Sequence, residues 1–229
     1  MSEPDEDRGK KLVFIGDAGV GKTCLITRFT QGIFDEKTPA TLGASFATKI
    51  IEIPELNQSL TLDVWDTAGQ EKYKSLTRIF FQGAKMAILV YDITRRESFY
   101  NMKNSWYREI KENGDSDIVL GIAGNKSDLY DNEEVPEEEA REFAKSIDAV
   151  FGYTSAQSDS GIKELFKDLG KKYLIANSST IDSDEQNQMQ KPELKSKQEK
   201  KEESKQNIKI ASKDVVKKNV EQKKKKSFC

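Results

Sequence analysis

The sequence predicts an α/β fold in which a mostly parallel, six-stranded sheet carries helices on both faces. Three observations support this prediction. Short apolar runs typical of buried strands alternate with segments of helical periodicity. A glycine-rich loop with the spacing G-x-x-x-x-G-K-T joins the first apolar run to the first helical segment. The other polar loops also follow strands, and open α/β sheets bind their ligands at the carboxyl ends of strands.

The first elements flank the glycine-rich loop. Residues 12–15 form a continuous apolar run, which predicts a buried strand. Apolar residues at spacings of three and four predict a helix over residues 22–31, and Gly32 is expected to end it. Residues 33–43 are rich in turn-forming residues and are predicted to be a loop.

A hairpin is predicted next. Residues 44–53 and 59–65 look like strands, the second with alternating apolar residues, and the short separation indicates an antiparallel pair. Residues 73–83 have a mixed pattern that fits a short, irregular helix. The remaining strands are predicted at residues 86–91, 118–123 and 150–153, and the remaining helices at residues 97–113, 137–146 and 160–176. Pro136 suits the first position of the helix that it precedes.

Composition divides the chain near Ala176. Residues 10–177 hold nearly all the aromatic side chains, so we expect one globular domain there, preceded by a mobile acidic arm at residues 1–9. Residues 178–229 carry 14 lysines against 9 acidic residues and one aromatic residue, which predicts a disordered, Lys-rich tail. The net charge of −2 therefore conceals a basic end.

Composition also narrows the classes of function. Histidine is absent, which excludes Ser-His catalysis and the common zinc sites built with His. The two cysteines, Cys24 and Cys229, provide no disulfide framework. No apolar run is long enough for a membrane span, and the acidic residues 1–7 are no signal peptide, so we expect a cytosolic protein. Any catalysis must rest on positioning and electrostatics.

The glycine-rich loop has the context of a phosphate-binding P-loop. Its N–H groups and the start of the next helix can bind phosphate, Lys22 can reach the β- and γ-phosphates, and the Thr23 hydroxyl can ligate Mg²⁺. Asp66 ends a strand, with Gly69 close behind it, which is the arrangement in which a second element reaches Mg²⁺ and the γ-phosphate. These features are compatible with three classes of protein: ATPases, kinases and GTPases.

The sequence N-K-x-D at residues 125–128 favours a guanine nucleotide. A carboxylate at Asp128 can accept two parallel hydrogen bonds from guanine N1 and the exocyclic amino group, and adenine offers no such pair of donors there. A wrong base would leave this carboxylate desolvated and unpaired, which costs on the order of 2 to 5 kcal/mol.

Five motifs in order, GDAGVGKT, TLGASF, WDTAGQEKY, GNKSDL and TSAQ, give the chain a resemblance to Ras-superfamily small GTPases and, among them, to Rabs. The resemblance spans residues 10–175 and implies the P-loop small G domain fold. The run LTRIFF at residues 76–81 and the run VYDIT at residues 90–94 are further Rab features. The TLGASF wording resembles the early-endosomal Rab branch.

The resemblance implies a set of site residues. Thr41 would join Thr23 and Asp66 around Mg²⁺, Gln70 would orient the attacking water beside Lys22, and Gly69 would contact the γ-phosphate. The implied nucleotide-binding residues are Ala18, Gly19, Val20, Gly21, Lys22, Thr23, Cys24, Phe34, Thr41, Gly69, Asn125, Lys126, Asp128, Ser155, Ala156 and Gln157. The implied effector-binding aromatic residues are Phe46, Trp65 and Phe80.

Four positions depart from the family pattern. Gln157 stands where the family usually has Lys, which would alter base affinity. Ala18 adds a small side chain where bulk can obstruct an incoming arginine. The turn of the hairpin, residues 55–58, is slightly longer than usual. The chain ends in a single Cys229, where Rabs commonly have paired cysteines.

The resemblance implies a switch that binds GTP with Mg²⁺ and hydrolyses it slowly to GDP. Its implied partners are an exchange factor, a GTPase-activating protein, effectors and a prenyl-chaperone type of protein. We expect a monomer with no nucleic-acid partner. The run Lys223 to Lys226 lies beside Cys229, so a lipid on that cysteine together with the basic charge would anchor the protein to the cytoplasmic face of intracellular, in particular endosomal, membranes.

Other functions are compatible with the same motifs. One is a soluble regulatory GTPase of another branch of the superfamily, and a second is a binding module that holds GTP with negligible hydrolysis. An ATP-using kinase or ATPase is the most remote alternative.

Overall fold

The computed structural model describes residues 9–39, 41, 44–67 and 80–178. Within these residues a six-stranded sheet has the order β2-β3-β1-β4-β5-β6. Among these six described strands, β2 and β3 are antiparallel to each other, and the other neighbouring pairs are parallel. The strands are β1 (Lys10–Ile15), β2 (Ala44–Ile53), β3 (Gln58–Thr67), β4 (Met86–Asp92), β5 (Val119–Asn125) and β6 (Val150–Thr154). The predicted mostly parallel sheet and its hairpin are confirmed.

In the described part of the chain, four helices accompany the sheet. They are α1 (Lys22–Gln31), α2 (Arg96–Asn113), α3 (Glu137–Ser146) and α4, residues 162–178. Shorter 3₁₀ turns occupy Pro54–Leu56 and Ser127–Asn132. Residues 80 and 81 are helical, and the rest of the predicted irregular helix lies outside the described residues. None of the described helices combines the length and the apolar character needed to cross a bilayer.

The core has one layer on each face of the sheet because side chains alternate along the strands. In β1, Leu12 and Phe14 face the layer that includes α1 and α4, where the rings of Phe29 and Phe166 stack with centroids 3.5 Å apart. Val13 and Ile15 face the opposite layer, which includes α2 and α3. The helices thus cover both faces, as the sequence predicts.

Helix α1 has the boundaries predicted from the sequence. Gly32 closes it in the left-handed conformation with φ of 72°, and its N–H donates to the Arg28 carbonyl. A side chain would be strained at this φ, and glycine is not. At α3 the structure differs from the prediction by one position, since Pro136 is the N-cap residue with an extended ψ of 138° and the helix begins at Glu137.

Helix α2 contains an irregularity that the sequence did not predict. Its first part, Arg96–Asn101, and its last part, Tyr107–Asn113, are α-helical, and Met102–Trp106 between them is π-helical. The wider turn coincides with a polar anchor, because Trp106 Nε1 donates to Asp17 Oδ1 at 2.7 Å and Asn101 Nδ2 donates to Asp17 Oδ2 at 2.9 Å. Helix α2 is therefore bound directly to the P-loop.

The parallel strands end at one edge of the sheet. Asp92 of β4 lies opposite Asn125 of β5, which in turn lies opposite Thr154 of β6. The loops after β1, β5 and β6 therefore meet at this edge, where the candidate site lies.

Candidate functional site

A cavity of about 530 Å³ opens at the carboxyl edge of the sheet. Its lining comes from the P-loop, the start of α1, the loop after α1, the end of β3 and the loops after β5 and β6. The lining residues are Ala18, Gly19, Gly21, Lys22, Thr23, Cys24, Phe34, Glu36, Thr38, Pro39, Thr41, Thr67, Asn125, Lys126, Asp128, Leu129, Ala156 and Gln157. Three predicted nucleotide-binding residues are not in this lining: Val20 is buried in the core, Ser155 lies behind Asp128, and Gly69 is outside the described residues.

The P-loop turns its carbonyl groups toward side chains of the protein. Lys22 Nζ donates to the carbonyls of Gly16 and Asp17, both at 2.8 Å. Arg95 Nη2 donates to the Ala18 carbonyl at 3.0 Å, and Asn125 Nδ2 donates to the Val20 carbonyl at 2.8 Å. Because C=O and N–H point to opposite sides of a trans peptide, each held carbonyl directs the next residue's N–H the other way. N–H groups that point away from bound carbonyls in this way are donors suited to phosphate.

Gly21 shows why the loop needs glycine. Its φ of 93° is left-handed, and a Cβ there would lie 2.3 Å from Asn125 Nδ2. Any side chain would therefore displace the amide that holds the Val20 carbonyl. Glycine at position 21 therefore lets Asn125, at the end of β5, contact the P-loop where α1 begins.

Lys22 is the buried cation of the site, with 6% of its surface exposed. Burial lowers the pKa of its amine to about 8, although the charges of Asp66 and Asp17 oppose that change; the Arg95 charge lowers the pKa further. An anion in the cavity would restore the pKa because an opposite charge favours the protonated form.

Three oxygen-bearing side chains converge beside Lys22. Thr23 Oγ1 donates to Asp66 Oδ2 at 2.7 Å, Thr41 Oγ1 lies 3.3 Å from the same oxygen, and the two hydroxyl oxygens are 2.7 Å apart. Asp66 is buried, and burial raises the pKa of its carboxyl, against the opposing effects of the Thr23 hydrogen bond and the Lys22 charge. Its Oδ1 has no hydrogen-bond partner among the described residues.

This cluster fits a hard divalent cation. Mg²⁺ prefers oxygen ligands, and two hydroxyls with one carboxylate supply them at a single point. A cation there would also compensate the buried charge of Asp66 and occupy its unpartnered oxygen. The predicted metal residues Thr23, Thr41 and Asp66 are therefore brought together.

The other end of the cavity holds the N-K-x-D residues. Asn125 is buried and accepts a hydrogen bond from Thr154 Oγ1 at 3.3 Å, while its Nδ2 reaches the P-loop. Lys126 Nζ forms an ion pair with Asp92 Oδ2 at 2.6 Å. Asp128 Oδ1 accepts a hydrogen bond from the buried Ser155 hydroxyl. The hydrogen bond from Ser155 orients the Asp128 carboxylate at the cavity wall.

Arg28 positions the loop after β6, a role that the sequence reasoning missed. Its Nε donates to the Ala156 carbonyl at 2.7 Å and its Nη2 to the Gln157 carbonyl at 3.0 Å. Its guanidinium carbon lies 5.8 Å from the centre of the Phe34 ring. Ser160 N donates to the Ser155 carbonyl at 3.3 Å, so the next N–H, that of Ala156, points to the opposite side of its peptide.

Other site residues were also missed. Asp17 accepts a hydrogen bond from Trp106, and Asp92 forms an ion pair with Lys126. Arg95 donates a hydrogen bond to the P-loop. Asp92 could have been predicted from the sequence, since it ends a buried strand and ligands bind at that edge of the sheet. Asp17 and Arg95 act through contacts distant in sequence, which a local pattern does not reveal.

Two of the predicted effector residues are in contact. Phe46 and Trp65 are opposite each other on β2 and β3, with ring centroids 5.5 Å apart and an angle of 63°. Phe46 is exposed, and Phe80 is partly buried. The predictions for Gly69, Gln70 and Cys229 lie outside the described residues, as do the arm at residues 1–8 and the tail from residue 179.

Comparisons with known proteins agree on one family. The Ras family model matches residues 11–175. The human Ras-related protein Rab-31 is 44% identical over 164 residues, which cover 72% of this chain and 83% of that protein. The mouse Ras-related protein Rab-22A is 43% identical over 166 residues, covering 72% of this chain and 84% of that protein. The human Ras-related protein Rab-30 is 42% identical over 169 residues, covering 74% and 82%.

Proposed function

Because the chain belongs to the Ras family and, within it, to the Rab small GTPases, we propose that it is a GTP/GDP switch in intracellular vesicle traffic. One observation carries the proposal: a single cavity has a phosphate-binding loop with Lys22 at one end and the Asp128 carboxylate, with its hydrogen bond from Ser155, at the other. A guanine nucleotide has matching chemistry at both ends.

Base recognition would rest on two neighbouring loops. Asp128 would accept hydrogen bonds from guanine N1 and the amino group, and the Ala156 N–H would donate to the guanine carbonyl. Phe34, beside the Arg28 guanidinium, would pack its ring against the base. Asn125 and Lys126 would hold this wall against the P-loop and Asp92.

The phosphates would be bound by the P-loop N–H groups and Lys22. Thr23, Thr41 and Asp66 would hold Mg²⁺, which neutralises charge that develops on the phosphates during hydrolysis. Gln70 would orient the attacking water and the Gly69 N–H would contact the γ-phosphate. The protein supplies positioning and electrostatics and no covalent step, in agreement with its lack of histidine.

Hydrolysis should be slow without a partner. A Ras-type site turns over at about 10⁻⁴ to 10⁻³ per second alone, and an arginine supplied by an activating protein raises the rate about 10⁵-fold. Single-turnover hydrolysis of GTP with Mg²⁺ tests this expectation, with Gln70→Leu as the matched variant. A rate faster than about one per second in the isolated protein contradicts the proposal. GTP that persists for hours, even with candidate activating proteins, favours a binding module.

The tail would attach the protein to a membrane. We propose that residues 178–229 form a Lys-rich extension of the domain at residues 10–177 and that Cys229 carries one prenyl group. One lipid chain binds membranes only marginally, and each nearby lysine adds about 1 kcal/mol at an anionic surface, so the two signals act together.

Localisation of the tagged protein beside Cys229→Ser tests the anchor. We expect the wild type on intracellular, in particular endosomal, membranes and the variant in the cytosol. An unchanged membrane fraction in the variant would favour a soluble GTPase of another branch. In this proposal the protein is a monomer that works with an exchange factor, an activating protein, effectors and a prenyl-chaperone type of protein.

A further inference from the structure

Arg95 occupies a rigid position beside the P-loop. It directly precedes α2, its N–H donates to the Asp92 carbonyl at 3.0 Å, and its own carbonyl accepts from both Ser98 N at 3.0 Å and Ser98 Oγ at 2.7 Å. Its backbone is thereby fixed at the carboxyl end of β4, on the edge of the sheet where the cavity opens. The fixed backbone therefore limits where the Arg95 guanidinium can lie.

The side chain extends to the outer rim of the loop. Nη2 donates to the Ala18 carbonyl at 3.0 Å, and Nη1 lies 4.0 Å from where a Cβ on Gly19 would stand. The Ala18 carbonyl and the Gly19 N–H belong to one trans peptide, so a carbonyl held outward directs that N–H toward the concave side of the loop. Arg95 thus holds a peptide of the P-loop that neither Lys22 nor Asn125 contacts.

The charge of Arg95 has no carboxylate partner in the part of the chain that the structure describes. The adjacent Arg96 is different: its Nη2 forms an ion pair with Glu139 at 2.8 Å, and its Nη1 donates to the Glu134 carbonyl at 3.0 Å. The positive charge of Arg95 also lowers the pKa of the Lys22 amine, in addition to the effect of burial. The rim therefore carries a positive charge that a bound anion can compensate.

We propose that Arg95 is a positioning residue of the phosphate site, which orients the Ala18–Gly19 peptide toward the nucleotide and favours the triphosphate over the diphosphate through its uncompensated charge. The inference rests on the proposed function, because it assigns a determinant of affinity to the same cavity. The preference follows from Coulomb's law, since the attraction of a fixed cation grows with the charge of the phosphate chain.

Release of fluorescent GDP and of a fluorescent, non-hydrolysable GTP analogue, both with Mg²⁺, measures this preference. The full chain is compared with Arg95→Ala, Arg95→Gln and Arg95→Lys, and Arg96→Ala is the matched control. Gln keeps an N–H donor without charge, and Lys keeps the charge. Thermal unfolding of each variant separates loss of fold from loss of affinity, and Arg95→Gln and Arg95→Lys preserve much of the side chain if Arg95→Ala is unstable.

We expect Arg95→Ala to release the GTP analogue about tenfold faster and GDP about threefold faster, as the loss of one charge-assisted contact predicts. Arg95→Lys should restore the ratio of the two rates and Arg95→Gln should not. High salt should reduce the difference between the wild type and Arg95→Gln. Arg96→Ala should release both nucleotides at the wild-type rates.

Two failures are distinguishable. A wild type that binds guanine nucleotides tightly, with the same ratio of release rates in Arg95→Ala and Arg95→Gln, would overturn this inference alone. A wild type that binds neither nucleotide would overturn the proposed function and this inference together.

Discussion

Nucleotide binding should draw a proton onto Lys22, and the size of that uptake should depend on pH. The amine is buried and its pKa is lowered to about 8, chiefly by burial. A phosphate chain beside it would raise the pKa again, because an opposite charge stabilises the protonated amine. Addition of GDP with Mg²⁺ to nucleotide-free protein, at a series of pH values, should reveal this change of pKa.

The pKa of about 8 determines how many protons are taken up on binding. At pH 7 the free site is about nine-tenths protonated, so binding takes up about 0.1 proton; at pH 8 it takes up about 0.5. By linkage, affinity for the nucleotide falls as pH rises above 8, at a slope that approaches tenfold per pH unit.

The same pKa determines a dependence of stability on pH. The folded-state pKa of Lys22 lies below the ordinary value of 10.5, so between pH 8 and 10.5 the unfolded state binds more protons. The contribution of Lys22 to the free energy of unfolding of the nucleotide-free protein therefore rises across this window, by about 3 kcal/mol in all, and the buried charge is destabilising below it.

Isothermal titration calorimetry in buffers of different ionisation enthalpy measures the proton uptake. Lys22→Arg is the control, because a guanidinium stays protonated at every pH used. We expect uptake to increase from pH 7 to pH 8 in the wild type and to stay low in the variant. Equal uptake at both pH values in the wild type would refute the reasoning from burial.

Three further predictions concern single contacts. Asn125→Ala leaves the Val20 carbonyl without its 2.8 Å donor, so nucleotide release should accelerate and the free energy of unfolding should fall by about 1 to 3 kcal/mol; unchanged release would contradict this. Trp106→Phe removes the N–H that binds the Asp17 carboxylate, and urea unfolding should show a loss of about 2 kcal/mol. Gly32→Ala should cost about 1 kcal/mol from its φ of 72° alone, since a Cβ there meets nothing within 4 Å; no measurable loss would show that the helix end relaxes.

The features predicted well from the sequence are those set by neighbours along the chain. Gly32 ends α1 because only glycine adopts its φ without strain, and that signal lies in the sequence itself. The strands β2 and β3 form the predicted antiparallel hairpin, and the alternating apolar residues of β3 face the core. The P-loop and the N-K-x-D residues meet because both follow parallel strands that end at one edge.

The features that escaped prediction depend on contacts between distant residues. The apolar spacing of α2 suits an uninterrupted helix, and its π-helical segment coincides with the hydrogen bond between Trp106 and Asp17, 89 residues apart. Arg95 and Arg96 look equivalent as a pair of surface cations, and only the fold directs one to the P-loop and the other to Glu139. No local pattern distinguishes them.

In the proposed function, the cavity recognises guanine through Asp128. The most direct measurement compares the affinities of the protein for GDP and ADP with Mg²⁺, in the wild type and in Asp128→Ala. We predict that the wild type prefers GDP by at least about thirtyfold, the equivalent of about 2 kcal/mol, and that the variant loses most of this preference. Equal affinities in the wild type, or an undiminished preference in Asp128→Ala, would show that Asp128 does not select guanine.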